Sequence, residues 1–205
     1  MTKKRTTAEA PARKRRRADA ERSVAAVLDA ALDALASDPD SSMSEIARRA
    51  GVVRATIYVH FPTREALLDA VMERSVADVA EAMRGAEPQR GEPVEALERV
   101  LRATWRELAR FHALLAINTA RLSAEELRRR HVPMLDQLQP LVKRGQKQGA
   151  FRNDLPVAWH LAVIRAIVHT ASHESQGGRI PESEAEAAML STALSAISPP
   201  QPRNS

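Results

Sequence analysis

The chain has 205 residues, a formal net charge of +5, 44% hydrophobic residues, six aromatic side chains and no cysteine. That length suits one or two small domains with a buried core. The missing Cys excludes a disulfide scaffold, Cys-ligated zinc, iron–sulfur clusters and a thiol nucleophile. No apolar run approaches the roughly 20 residues of a membrane span. Met1 is followed by basic and polar residues rather than a signal peptide's apolar stretch, so a cytoplasmic protein without a membrane partner is expected.

The positive charge is concentrated at one end. Residues 1–22 carry nine Lys and Arg against Glu9, Asp19 and Glu21, a net of +6, and the other 183 residues sum to −1. The run Arg13, Lys14, Arg15, Arg16, Arg17 repels itself, stays solvated and suits phosphate contacts. Sparse Gly, no alternating strand pattern, and abundant Ala, Leu, Arg and Glu predict an all-α protein.

Taken in order, residues 1–17 read as a disordered basic arm and Asp19 to Ala36 as a first helix. Val24, Val27, Leu28, Ala31, Leu32 and Leu35 form its apolar face. The turn cluster Ser37 to Ser41 ends it. Ser42-Met43-Ser44-Glu45 fits a capping box, with Ser42 holding a free amide and Glu45 reaching back. The short helix it opens, Met43 to Ala50, is left through Gly51. Another short helix, Arg54 to His60, stops before Pro62, and Thr63 caps a helix running to Met83.

Residues 85–93 read as a loop. A long amphipathic helix follows through Val94, Leu97, Leu101, Trp105, Leu108 and Phe111, then shorter helical segments at Ala113 to Arg121 and Ala124 to Gln148. The last is expected to be interrupted or bent at Pro133 and Pro140. Two more helices span Pro156 to Glu174 and Glu182 to Ile197, and residues 198–205 read as a disordered tail.

Short helix, Gly turn, short helix is the helix-turn-helix plan, whose second helix enters the DNA major groove. Ile46, Ala47 and Ala50 are expected inward with Val52, Ile57 and Phe61, leaving Arg54, Ala55, Thr56, Tyr58 and His60 exposed. The run from Ser42 to Val52, then Thr56-Ile57-Tyr58, His60-Phe61 and Thr63 to Leu68, resembles the N-terminal domain of the tetracycline-repressor (TetR) family of bacterial regulators. The resemblance covers roughly residues 20–74 and is specific as a combination.

It implies an N-terminal three-helix DNA-binding domain over 18–74 and a helical ligand-binding and dimerisation domain over 75–197. By position, it implies that Arg54, Ala55 and Thr56 approach base edges, Arg54 as the candidate for a bidentate guanine contact. Tyr58, His60, Thr63, Arg64 and Ser42 would hold phosphates. Two positions depart from the family: Val53 stands where a helix-capping Ser is usual, and Arg64 where Lys is commonest.

One helix-turn-helix reads few bases, so a homodimer on a palindromic operator is expected. Val157, Leu161, Ile164 and Val168 follow 4, 3, 4 spacing, and with Met189, Ala193 and Ile197 they are the expected interface. Trp105, Phe111, His112, Asn118, Arg121, Met134 and Trp159 are the candidates for a small-molecule effector cavity, mostly apolar with a few polar groups. His169 and His173 stand at i, i+4, but Arg165 one turn earlier opposes a cation and no third ligand is evident. No metal or other cofactor is expected.

The expected function is ligand-released repression of transcription, with no enzymatic activity. The alternatives are an effector-independent DNA-binding activator or repressor, or a helical metal-binding protein or enzyme. Deleting residues 1–17 lowers affinity for duplex DNA and flattens its salt dependence, as read from binding titrations across ionic strength. An unchanged slope contradicts a role for the arm.

Overall fold

The computed structural model describes the backbone of residues 9–200 and the side chains from Ala20 onward, apart from those at 109, 110, 112, 113, 115, 116 and 119. Among the described residues there are eight helices and no strand, in agreement with the all-α expectation. The chain forms two compact units, one up to Met72 and one from Glu73 onward.

The first unit begins with α1 (Glu9–Ser37), followed by α2 (Met43–Arg49), α3 (Arg54–His60) and the start of α4 (Arg64–Gly85). The first helix therefore starts at Glu9 rather than Asp19, so Arg13 to Arg17 lie on helical backbone and not in an irregular arm. The stretch is rich in Ala, Arg and Glu, which favour helix, and Pro11 falls in the first turn, where its missing N–H costs no hydrogen bond. Residues 1–8 of the expected arm and 201–205 of the expected tail lie outside the described residues.

Val27, Leu28, Ala31, Leu32 and Leu35 of α1 are buried, and α1 packs on α2, which packs on α3. The turn after α1 is tied down by the Ser41 hydroxyl, which donates to the Ala34 carbonyl at 3.1 Å, and by the Asp40 amide on Asp38 Oδ1. Arg49 fastens α2 to the end of α1 through the Asp33 carbonyl and the Ser37 hydroxyl. Gly51 leaves α2 with φ +67°, a left-handed conformation that a side chain would strain.

The second unit contains the rest of α4 with α5 (Pro93–Arg121), α6 (Ala124–Lys147), α7 (Val157–Gln176) and α8 (Glu182–Ile197). α5 packs on α6, α7 and α8, α6 on α7, and α7 on α8. α5 is one helix through residues 111–113, where the sequence suggests a division. The buried Phe111 and Leu114 continue the inward stripe of Leu97, Leu101 and Trp105. α6 is likewise one helix despite Pro133 and Pro140, which stand seven residues apart on its exposed face. The carbonyls of 129 and 136, which the prolines deprive of their helical donors, belong to exposed residues.

The connector after α6 is closely built. The Ala150 and Phe151 amides both donate to the Gly145 carbonyl, and Gln146 Nε2 donates to the carbonyls of Arg152 and Leu155. The buried Phe151 ring lies flat on Gly145, where a Cβ would fall 2.0 Å from a ring carbon. Gly145→Ala is expected to destabilise the second unit by about 1–3 kcal/mol through overpacking. Gly85→Ala, with open space around it, is expected to be neutral or stabilising by about 0.4–1 kcal/mol. Urea denaturation of the two variants checks both values.

Candidate functional site

Ser42 caps α2 as expected, its Oγ accepting the Glu45 amide at 3.2 Å. The return half of the capping box is replaced. Glu45 turns its carboxylate to Arg48 and Arg49, whose hydrogen bonds hold it well below its usual range, at about 2. Beyond Gly51, Val53 opens α3 in extended conformation without a side-chain cap, and its carbonyl accepts the Thr56 amide at 2.9 Å.

Two side chains anchor α3. Ile57 is wholly buried and Phe61 nearly so, together with Ile46 and Ala47 of α2, while Ala50 and Val52, also expected inside, are only half-buried. With 57 and 61 turned inward, the opposite face carries Arg54, Ala55, Tyr58 and Val59, and Thr56 and His60 flank it half-buried. The Arg54 guanidinium lies over the Tyr58 ring, 5.5 Å from its centroid, with Nη2 3.4 Å from the phenol oxygen. That cation–π contact holds the long side chain against its own helix in the free protein.

Val59 is 77% exposed and Val53 71% exposed, and neither was among the expected contacts. The signal for Val59 was available, because it lies two residues from both Ile57 and Phe61 and must face away from them. Thr63 caps α4, its Oγ1 accepting the Ala66 amide at 3.1 Å, so its hydroxyl hydrogen is still free to be donated. Arg64, expected on a phosphate, directs Nη2 to the Pro39 carbonyl at 2.6 Å and so ties α4 to the turn before α2. Among the described residues its other N–H groups make no such bond. The side chains of Arg13, Lys14, Arg15, Arg16 and Arg17 lie outside the described residues.

In the second unit a cavity of about 60 Å³ opens among four helices. Its walls are apolar: Val79 and Met83 of α4, Leu101 and Leu108 of α5, Met134 and Leu138 of α6, Ile164 and Val168 of α7. Thr104 also lines it, but its hydroxyl is satisfied by the Val100 carbonyl at 2.8 Å. His131 of α6 and His169 and Arg165 of α7 form the polar part. The two rings are neighbours, 5.3 Å between centroids and tilted by 56°, and His131 Nδ1 donates to the Leu127 carbonyl at 2.6 Å.

Burial lowers the pKa of both rings. At His131 the Leu127 carbonyl opposes the shift and the charge of Arg165 reinforces it. His169 is pushed down to about 4 by burial, then by His131 and Arg165. Both imidazoles are therefore neutral at pH 7. A larger surface cleft, of about 430 Å³, is lined by Arg84, Gln137 and Arg144, but Arg144 is held by the carbonyls of Pro88 and Gln89 and Arg84 by Glu81.

Of the expected cavity residues whose side chains are described, only Met134 lines this space. Trp105 and Phe111 are buried in the core and Trp159 is 56% exposed. Asn118 is buried and accepts from Arg121 at 3.0 Å, and the His112 side chain lies outside the described residues. Side-chain chemistry alone does not mark the cavity, which is set by which helix faces converge.

Of the expected interface residues, Leu161, Ile164, Val168, Met189, Ala193 and Ile197 are buried within the chain, Ile164 and Val168 at the cavity wall, and Val157 is half-buried. The apolar surface left outside on α7 includes Trp159, with Val163 and Ile167 half-exposed, and the outer residues of α8 are small: Ala187, Ala188, Ser191, Thr192 and Ser195. His173, also exposed, is not the ring neighbour of His169. Among the described residues no three His, Cys, Asp or Glu come together as a metal site.

Two family models match the chain: bacterial regulatory proteins of the tetR family over residues 27–71, and the tetracyclin repressor-like C-terminal domain over 93–193. The chain belongs to the TetR family. It is a DNA-binding transcriptional regulator.

Among its relatives, the HTH-type transcriptional regulator NfxB of Pseudomonas aeruginosa is 26% identical over 152 residues, 73% of this chain and 81% of that protein. The HTH-type transcriptional repressor LfrR of Mycolicibacterium smegmatis is 40% identical over 82 residues, 40% of this chain and 43% of that one. The crystal structure of LfrR in complex with proflavine shares the fold at TM-score 0.69 and 24% identity, covering 86% of this chain and 97% of that one. FadR of Bacillus subtilis in complex with stearoyl-CoA does so at TM-score 0.69 and 24% identity, covering 84% and 98%. Val53→Ser in this TetR-family protein is expected to supply the missing cap and stabilise the first unit by about 0.5–1 kcal/mol, measured by urea denaturation.

Proposed function

We propose that this regulator is a homodimeric repressor that places α3 of each copy in successive major grooves of a palindromic operator and is released by a small molecule in the cavity of the second unit. The observation that carries the DNA half is the outward face of α3. Ile57 anchors the helix from behind, and Arg54, Ala55, Tyr58 and Val59 stand clear of the protein. The Arg54 fork suits the O6 and N7 edge of guanine, and the methyl groups of Val59 suit that of thymine. Ser42 and Thr63, each at a helix start with a donatable hydroxyl, suit phosphates, together with Tyr58, His60 and the free N–H groups of Arg64. Thr56 stands beside the base-reading face, and the basic run Arg13 to Arg17 adds sequence-independent affinity.

Dimerisation is supported by the exposed Trp159 on α7 and by the small outer residues of α8, which allow a second copy to approach closely. The effector half is supported by the apolar cavity, and by the relatives, since LfrR and FadR have been crystallised with proflavine and stearoyl-CoA. α4 runs unbroken from Arg64 to Gly85, and Val79 and Met83 on it line the cavity, so it is the natural carrier of the signal. Moving the bound population from 99% to 1% needs about 5.5 kcal/mol of differential effector affinity. The role is one of binding and not of catalysis, and it is exercised in the cytoplasm.

A second reading, a regulator without an effector, is favoured by the cavity's volume, which is small beside the ~300–1,000 Å³ of typical ligand sites. A compound library screened for release of bound DNA separates the two.

A duplex selected from random sequence tests the DNA half. Arg54→Ala is expected to weaken binding to it by about 1–3 kcal/mol, and Tyr58→Phe by about 1 kcal/mol, measured by fluorescence anisotropy. Undiminished affinity in the double variant, with its helical circular dichroism intact, overturns the assignment.

A further inference from the structure

The cavity's charge is one-sided. Arg165 reaches its lining from α7 and makes no hydrogen bond or ion pair among the described residues. Elsewhere in the same unit arginines are matched to carboxylates one helical turn away, as Arg102 is to Glu98, Arg128 to Glu125 and Arg130 to Glu126. Among the described residues no Asp or Glu lines this space, and its titratable and charged groups are His131, Arg165 and His169. A half-buried guanidinium beside two imidazoles, with no counter-charge and an apolar wall beyond, is an incomplete electrostatic arrangement.

We propose that the cavity takes the carboxylate of an apolar organic acid, its head group on the Arg165 fork beside His131 and His169 and its chain along Leu101, Leu108 and Leu138. This rests on the effector reading and names the chemical class. A guanidinium holds a carboxylate through two parallel N–H bonds, and in a low-dielectric pocket such a pair is stronger than at the surface. The cavity must widen to admit the chain. Met83 and Met134 in its wall are unbranched and adaptable, so they are the side chains that give way.

The imidazoles couple the binding to a proton. Because His131 Nδ1 donates to the Leu127 carbonyl, the neutral ring keeps its hydrogen there and leaves Nε2 as an acceptor only. An acceptor beside a carboxylate is unfavourable until it gains a proton, and an anion raises the low pKa of both rings. In the free protein burial favours the neutral form of both rings, that of His169 down to about 4. In the complex they take up a proton at higher pH, so affinity for the acid rises as pH falls from 8 to 6.

The test is calorimetry on the full chain with octanoate, octanol and octyltrimethylammonium, at pH 8, 7 and 6, in two buffers of different ionisation enthalpy. Octanoate is expected to bind about tenfold or more tighter than octanol, the ammonium compound not to bind, and the buffers to reveal proton uptake with octanoate alone. Arg165→Gln is expected to lose that tenfold preference while octanol binding persists, which shows the variant is folded. His169→Phe is expected to reduce the proton uptake. Octanol binding as tightly as octanoate, no octanoate binding, or unchanged octanoate affinity in Arg165→Gln overturns the proposal. Anisotropy of the selected duplex in the same samples is a separate readout. Release by octanol or the ammonium compound instead of octanoate keeps the effector reading and removes this class. Octanoate binding without release keeps the acid site and removes the effector reading.

Discussion

The DNA-binding half depends on the burial of Ile57 and Phe61. A helix of seven residues does not hold itself together in water, since nucleation costs more than so few hydrogen bonds return. What holds α3 is its packing on α2, with Ile57 wholly buried and contributing about 1.5–3 kcal/mol by its area. The same burial fixes the rotation of the helix, and the rotation decides that Arg54, Tyr58 and Val59 face outward. Ala47 of α2 matters for the same reason, as a small residue that lets the two helices approach.

Charge is organised on the same economical plan. The +6 of residues 1–22 is set against a body of net −1, whose arginines are largely matched by nearby carboxylates. Such exposed pairs contribute little to stability, but they cancel the local field. Arg54, resting on Tyr58, and Arg165, at the cavity, are among the described guanidiniums held by no carboxylate. One belongs to the surface proposed to read DNA, the other to the space proposed for a small acid.

What the sequence made legible follows the range of the signal. Ser42, Gly51, Pro62 and Thr63 act on their immediate neighbours, so the bounds of α2, α3 and the start of α4 could be read directly. α1 was read too short because a run of like charges suggested an irregular arm, although its Ala, Arg and Glu are good helix formers. Prolines at 133 and 140 suggested a break that their exposed position makes tolerable. The α7 stripe of Leu161, Ile164 and Val168 was visible, but an apolar stripe looks alike whether the chain's own helices or a second copy covers it. The cavity was the least legible feature. His131 and His169 are 38 positions apart in sequence, and only the packing of α6 on α7 brings their rings together.

The central claim is that Arg54, presented by the buried Ile57, reads a base. It is tested most directly by selecting binding sites from random duplexes with the unaltered protein and with Arg54→Ala and aligning the two sets. The account predicts an inverted repeat in both, with a guanine preference at one position of each half-site that disappears in the variant while the remaining positions persist. Identical preferences in the two sets would contradict it.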